Sequence, residues 1–220
     1  IAPDKTALRP GETAGFTNYS GYALGLNGIV IDVLALADPG AITAADFTFK
    51  MGNDDTPALW DPAPAPSAVD VGAGEGAGGS DRITLTWNDH AIENQWLEVT
   101  VSTSPNTGLL AEDVFYFGNA IGETGNSAAD AKVDAIDVLL TRNNARSFWD
   151  PAEIKDAFDH NRDRRVDAID TLIARNHQSW SMTELSLIDL IGVKVSKDVG
   201  PDEAQRSPTL AGLQGGTSSE

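Results

Sequence analysis

Between Asp159 and Asp170 the sequence reads Asp-His-Asn-Arg-Asp-Arg-Arg-Val-Asp-Ala-Ile-Asp. Oxygen-bearing side chains stand at positions 1, 3, 5, 9 and 12 of this stretch: Asp159, Asn161, Asp163, Asp167 and Asp170. Position 7, Arg165, offers its backbone carbonyl. Calcium is a hard cation that takes about six to eight oxygens, so a loop that binds it must alternate carboxylates along a tightly curled backbone. The spacing here follows that schedule. It departs from it at position 6, where Arg164 replaces the usual glycine, and at position 12, where Asp170 replaces the longer glutamate. The other reading of the same residues is an acidic, solvated loop.

A second copy precedes the first. Val133–Asn144 and Val166–His177 share eight of twelve residues at an offset of 33, far above chance, which marks an internal repeat. Aligned on the shared valine, the earlier loop runs from Asn126 to Asp137. Asn126, Asp130, Asp134 and Asp137 bring side-chain oxygens, and Lys132 brings a carbonyl. Position 3 is Ala128, which has no side-chain ligand. Asn119 or Glu123, just upstream, is placed to supply the missing oxygen. Two calcium ions are expected, the one in the later loop held more tightly.

Two calcium loops with Asp at position 12, each followed by a short helix, resemble a dockerin. The resemblance covers about residues 118–178 and is strongest in the second repeat. It implies a pair of calcium loop-helix motifs in a secreted bacterial surface protein. It also implies a non-catalytic role: docking on a cohesin, itself a β-sandwich, to attach a larger protein to a scaffold. In that family the partner surface centres on loop positions 10 and 11 and helix positions 17 and 18. The matching residues here are Ala135, Ile136, Arg142 and Asn143, and Ala168, Ile169, Arg175 and Asn176.

The rest of the chain has to position these loops. Alternating or apolar runs at 14–18, 29–34, 47–51, 69–71, 83–87, 97–101 and 114–117 read as seven strands. In Ile83-Thr84-Leu85-Thr86-Trp87 one face is apolar and the other carries threonines. The expected fold class is therefore mainly β plus small α: an antiparallel β-sandwich over 1–117, then the dockerin-like pair over 118–180. Residues 181–220 form a C-terminal extension, whose apolar part, 181–194, docks on one of the two modules. Residues 195–220 are polar and suggest disorder. Phe115-Tyr116-Phe117 runs directly into Gly118-Asn119, which predicts a packed junction. Asp150-Pro151-Ala152-Glu153 reads as a helix start. Val133 and Val166 are expected to pair in a short ribbon, with Ile136, Leu139 and Leu140 facing Ile169, Leu172 and Ile173 as a small core.

Composition narrows the function further. The net charge is −18, from 33 acidic and 15 basic residues, which disfavours nucleic acid and anionic membranes. There is no cysteine, so disulfides and thiolate metal sites are excluded. No apolar run is long enough to span a membrane. The start at Ile1 suggests a processed piece of a longer secreted protein, in keeping with an extracellular or cell-surface location where calcium is plentiful. No catalytic constellation is visible, so the chain is not expected to be an enzyme. His90, His160 and His177 read as surface residues, and Asn18-Tyr19-Ser20 fits a glycosylation acceptor. Two further partner readings remain. In one the calcium pair clamps its own β-sandwich; in the other Trp60, Tyr19 and Tyr22 form a face that stacks on carbohydrate.

Overall fold

The computed structural model describes residues 2–193 and 209–211. It is mainly β, with two sheets and two α-helices. The five-stranded sheet has the order β1-β8-β7-β3-β4, from Tyr19–Ser20, Asp113–Asn119, Trp96–Val101, Phe47–Gly52 and Asp61–Pro62. The four-stranded sheet has the order β5-β6-β2-β9, from Ala68–Gly72, Asp81–Thr86, Gly28–Val33 and Thr209–Ala211. All pairings are antiparallel except β1 with β8. The sheets share one core: Ile29, Ile31, Ile83 and Leu85 on one side, Phe49, Leu97, Val99, Phe115 and Phe117 on the other. Alternation produces this directly, because successive side chains in a strand point to opposite faces. No helix among the described residues is long and apolar enough to cross a membrane.

Six of the seven expected strands form. The first does not: residues 16–18 make a 3-10 turn closed by Asn18, whose Oδ1 accepts from the Gly15 N–H at 2.9 Å. Asn18 is buried and its amide also donates to the Thr6 carbonyl, so it is no exposed glycosylation acceptor. The Pro-rich connector contributes the short edge strand β4.

The outer face of the five-stranded sheet holds a second core of Leu8, Tyr19, Trp60, Trp96 and Tyr116. The C-terminal extension covers it with Leu185, Ile188 and Leu190, so β7 is buried on both faces. The extension docks as an irregular segment with single bridges at Thr13–Asp189 and Ala131–Leu185. Side chains of the turn after β3 hold it. Asn53 donates to the Glu184 carbonyl at 2.9 Å and accepts from the Ser186 N–H at 2.8 Å, while Asp55 accepts from the Asp189 N–H at 2.8 Å. Trp96 donates to the Ser186 carbonyl at 2.8 Å. The expectation for residues 195–220 lies outside the described residues except at β9, whose backbone pairs with β2.

Candidate functional site

Strand β8 delivers the chain to the first acidic loop. Tyr19 pairs with Gly118 and Ser20 with Asn119 across the parallel β1–β8 ladder. The ladder then continues as loop contacts, Ala120 N–H to the Ser20 carbonyl and Gly122 N–H to the Gly21 carbonyl. A side chain on Gly21 would meet the Glu123 carbonyl at 2.3 Å, so the sandwich edge and the loop start touch backbone to backbone. Asn119 closes this junction. It is fully buried, donates to the carbonyls of Ser20 and Tyr22 at 3.2 and 3.0 Å, and accepts from the Asn94 N–H at 3.1 Å. These bonds make Asn119 a staple between β8 and the neighbouring loops.

The second loop curls as its spacing demands. Asp159 Oδ1 and Oδ2 accept from the N–H groups of Asp163 and Arg164 at 3.2 and 2.9 Å. Asn161 accepts from the Asp163 N–H at 3.0 Å, and Asp163 from the Arg165 N–H at 2.8 Å. Arg164 has φ +69°, the left-handed conformation for which glycine is usual at position 6. Helix α2, Ala168–Asn176, begins at once. Its N-cap is Asp167, whose side chain accepts from the Ile169 N–H, and Asp170 completes a capping box by accepting from the Asp167 N–H. Asp170 also accepts from the His160 N–H at 2.8 Å, tying position 12 to position 2. Helix α1, Ala135–Asn143, repeats the scheme with Asp134 and Asp137.

In the first loop the bond corresponding to His160 N–H with Asp170 runs from the Thr124 N–H to Asp137, at 3.1 Å. Lys132 N–H faces Asp130 at 3.4 Å as Arg165 faces Asp163. Positions 5 to 12 thus align at the offset of 33, but position 1 falls on Glu123, and Asn126 is an exposed residue of a three-residue insertion. The sequence alignment, anchored on valine and assumed to be ungapped, hid this.

Burial sets the electrostatics. Desolvation raises Asp159 to about 6 and Glu123 to about 7, and also raises Asp137 and Asp170. The oxygens are turned onto the loops' own N–H groups. Among the described residues, no three acidic or histidine side chains converge as a formed metal centre. The donor set is nonetheless all oxygen and mostly anionic, which suits calcium and not a softer metal.

The two halves lock reciprocally. Val166 bridges Arg146, the N–H of each bonding the carbonyl of the other at 3.2 and 3.0 Å. Val133 is held by Ser179, which is Arg146 plus 33. Ala152 N–H bonds the Arg164 carbonyl, and the counterpart pair, Leu185 and Ala131, forms a bridge. Each position-8 valine therefore pairs with the segment after the opposite helix, not with the other valine. Residues 151–153 form no helix; the chain there is irregular, between the Ser147–Asp150 bridge and the Ala152–Arg164 bond.

Helices α1 and α2 pack on each other, and each has one fully buried pair, Asp137 with Thr141 and Asp170 with Ala174. Ala174 sits under Gly122, where an added side chain would come within 2.8 Å of it. His160 is buried too, with Nε2 3.2 Å from Thr141 Oγ1, and desolvation lowers it to about 4. The expected small core is absent in that form. Ile136 and Ile169 are each 55% exposed, and Leu139 and Leu172 are 52% and 51% exposed. Arg142, Asn143, Arg175 and Asn176 are exposed as well. The aromatic candidates behave oppositely. Tyr19 and Trp60 are buried and Tyr22 is half-buried, so these rings offer no open stacking face.

No protein family, curated protein or solved structure matches this chain.

Proposed function

We propose that this chain is a non-catalytic attachment module of a secreted or cell-surface protein, in which a dockerin-like pair of calcium loops presents α1 and α2 to a protein partner. Two calcium ions are its cofactors. Asp159, Asn161, Asp163, Asp167, Asp170 and the Arg165 carbonyl hold one. Asp130, Asp134, Asp137 and the Lys132 carbonyl serve the other. Bound calcium supplies the positive charge that the buried carboxylates otherwise lack. The protein itself supplies curled loops, capped helices and a fixed junction with the sheets.

The observation that carries the docking role is the matched exposure of Ile136 with Ile169 and of Leu139 with Leu172. Four large apolar side chains at repeat-related positions face solvent on two short helices. Large apolar side chains left in solvent at matched positions mark an interaction site where they join into one patch. Arg142, Asn143, Arg175 and Asn176 give it a polar flank, and the chain's own sheets leave it open. The contact with those sheets uses the loop starts, so a clamp on its own β-sandwich and an external partner are compatible. The carbohydrate reading is the weaker one, since two of its three rings are buried.

The partner class that fits is a cohesin-like β-sandwich. The test is binding to a panel of such domains by interferometry, in calcium and in chelator. Calcium-dependent binding that is lost in the double variant Ile136→Asp/Ile169→Asp is expected. Binding unaffected by that variant, or no binding to any member, would overturn the proposal.

A further inference from the structure

Two buried oxygens at the first loop, Glu123 Oε1 and the Tyr19 hydroxyl, have no partner of good hydrogen-bond geometry beyond a weak contact between these two side chains. Both residues are fully buried. The other carboxylate oxygen, Glu123 Oε2, is held by the Gly125 N–H at 2.8 Å, so the side chain is fixed with one oxygen to spare. The acidic groups acting on the Tyr19 hydroxyl are Glu123, Asp137 and Asp130. A phenol from strand β1 is therefore buried beside Glu123, within the electrostatic reach of two further loop carboxylates, one of them the position-12 residue. Leaving such oxygens unsatisfied costs roughly 1–3 kcal/mol each, more for a charged group. Nearby Lys5, its ammonium held by the Phe16 carbonyl and Asp4, offsets Glu123 only weakly and through space, without a hydrogen bond to either oxygen.

We infer that the first calcium site is a fifteen-residue loop, Glu123–Asp137, in which Glu123 takes the place of the first ligand and Tyr19 supports it from the sheet. The inference rests on the calcium reading above. Glutamate is one methylene longer than the aspartate at position 1 of the second loop. It reaches inward from a chain path that the insertion Asn126–Ala128 diverts outward. The site is consequently shared between the repeat and the sandwich, and its affinity depends on a residue outside the repeat.

The test is calcium calorimetry on the full chain, with circular dichroism to verify folding of each variant. Wild type is expected to bind two ions. Glu123→Gln should weaken one of them at least about tenfold, the lower end of what even outer-shell partners of metal ligands cost. Tyr19→Phe should weaken the same ion by about tenfold. Asn126→Ala, a change at an exposed position, should leave both ions unaltered. The second loop should keep its affinity throughout and lose it in Asp163→Ala. Two ions bound with Glu123→Gln unaffected, or one weakened by Asn126→Ala, would overturn this inference while leaving calcium binding intact. Should Glu123→Gln fail to fold, the Asn126→Ala result decides. No binding by wild type would overturn both readings together.

Discussion

Arg164 holds a left-handed backbone, φ +69°, that costs an L-residue roughly 1–2 kcal/mol. Glycine would remove that cost and return part of it, about 0.5–1 kcal/mol, as lost chain entropy. Arg164→Gly should therefore raise the melting temperature by a few degrees at saturating calcium, and a fall would contradict the strain argument. Titration gives a second expectation at this scale. Glu123, raised to about 7 by burial, stabilises the metal-free fold at low pH and loses that contribution as pH rises through 7. His160, lowered to about 4, acts in the opposite sense below about 6.5, where the unfolded chain takes up a proton that the folded one refuses. Denaturant melts in chelator should thus gain stability as pH falls from 8, and gain less steeply below about 6.5, where Asp159, raised to about 6, adds to Glu123 and His160 opposes them. In His160→Gln the gain should persist further toward acid. A flat profile in both proteins would contradict these assignments. The curl of the second loop and its capped helix were legible because they follow the spacing that a calcium loop would require. Glu123 was legible only as an alternative to Asn119, because its alignment with position 1 depends on an insertion that only the backbone bonds reveal. His160 was misread for a similar reason: position 2 points outward in an isolated loop, but here it meets Gly21 and Thr141.

Each nine-residue helix is too short to be stable alone. It depends on the aspartate capping box at its start and on its partner helix. The apolar stripe of α1 and α2 suggested which side would be buried, but the buried side is the one carrying Asp137 with Thr141 and Asp170 with Ala174. Small residues there allow the helix and the opposite loop to approach closely. That packing separates two classes of substitution. Ala174→Leu places extra atoms against Gly122 and should cost about 1–3 kcal/mol, as overpacked cores do. Ile136→Ser and Ile169→Ser should each stay within about 0.5 kcal/mol, as surface changes do. Chemical denaturation measures all three, and a large loss from either isoleucine would mean that the exposed face is structural. If the partner uses both halves, Arg142→Ala or Arg175→Ala alone should weaken binding little, and the double variant should lose more than their sum. Additive losses would refute symmetric use.

At the scale of the molecule, six of the strands and the packed junction were readable from alternation and from the absence of a linker. The second core was not, since Trp96, Glu98 and Tyr116 look like the outer face of a half-buried sheet until Leu185, Ile188 and Leu190 cover them. Sequence separation conceals such a contact, for residues 185–190 lie some ninety positions from the strand they complete. The sheets have two apolar cores of their own, whereas the repeat holds its carboxylates buried. A ligand that binds only the folded form stabilises it by RT ln(1 + [L]/Kd), about 4 kcal/mol at a thousandfold excess over Kd. Metal dependence should accordingly be confined to residues 118–180. The most direct test of this account is thermal unfolding followed by far-ultraviolet circular dichroism, with calcium and with chelator. Chelation is expected to lower the transition of the helical signal first and to leave the strand signal to melt later. Superimposable curves in the two conditions would contradict it.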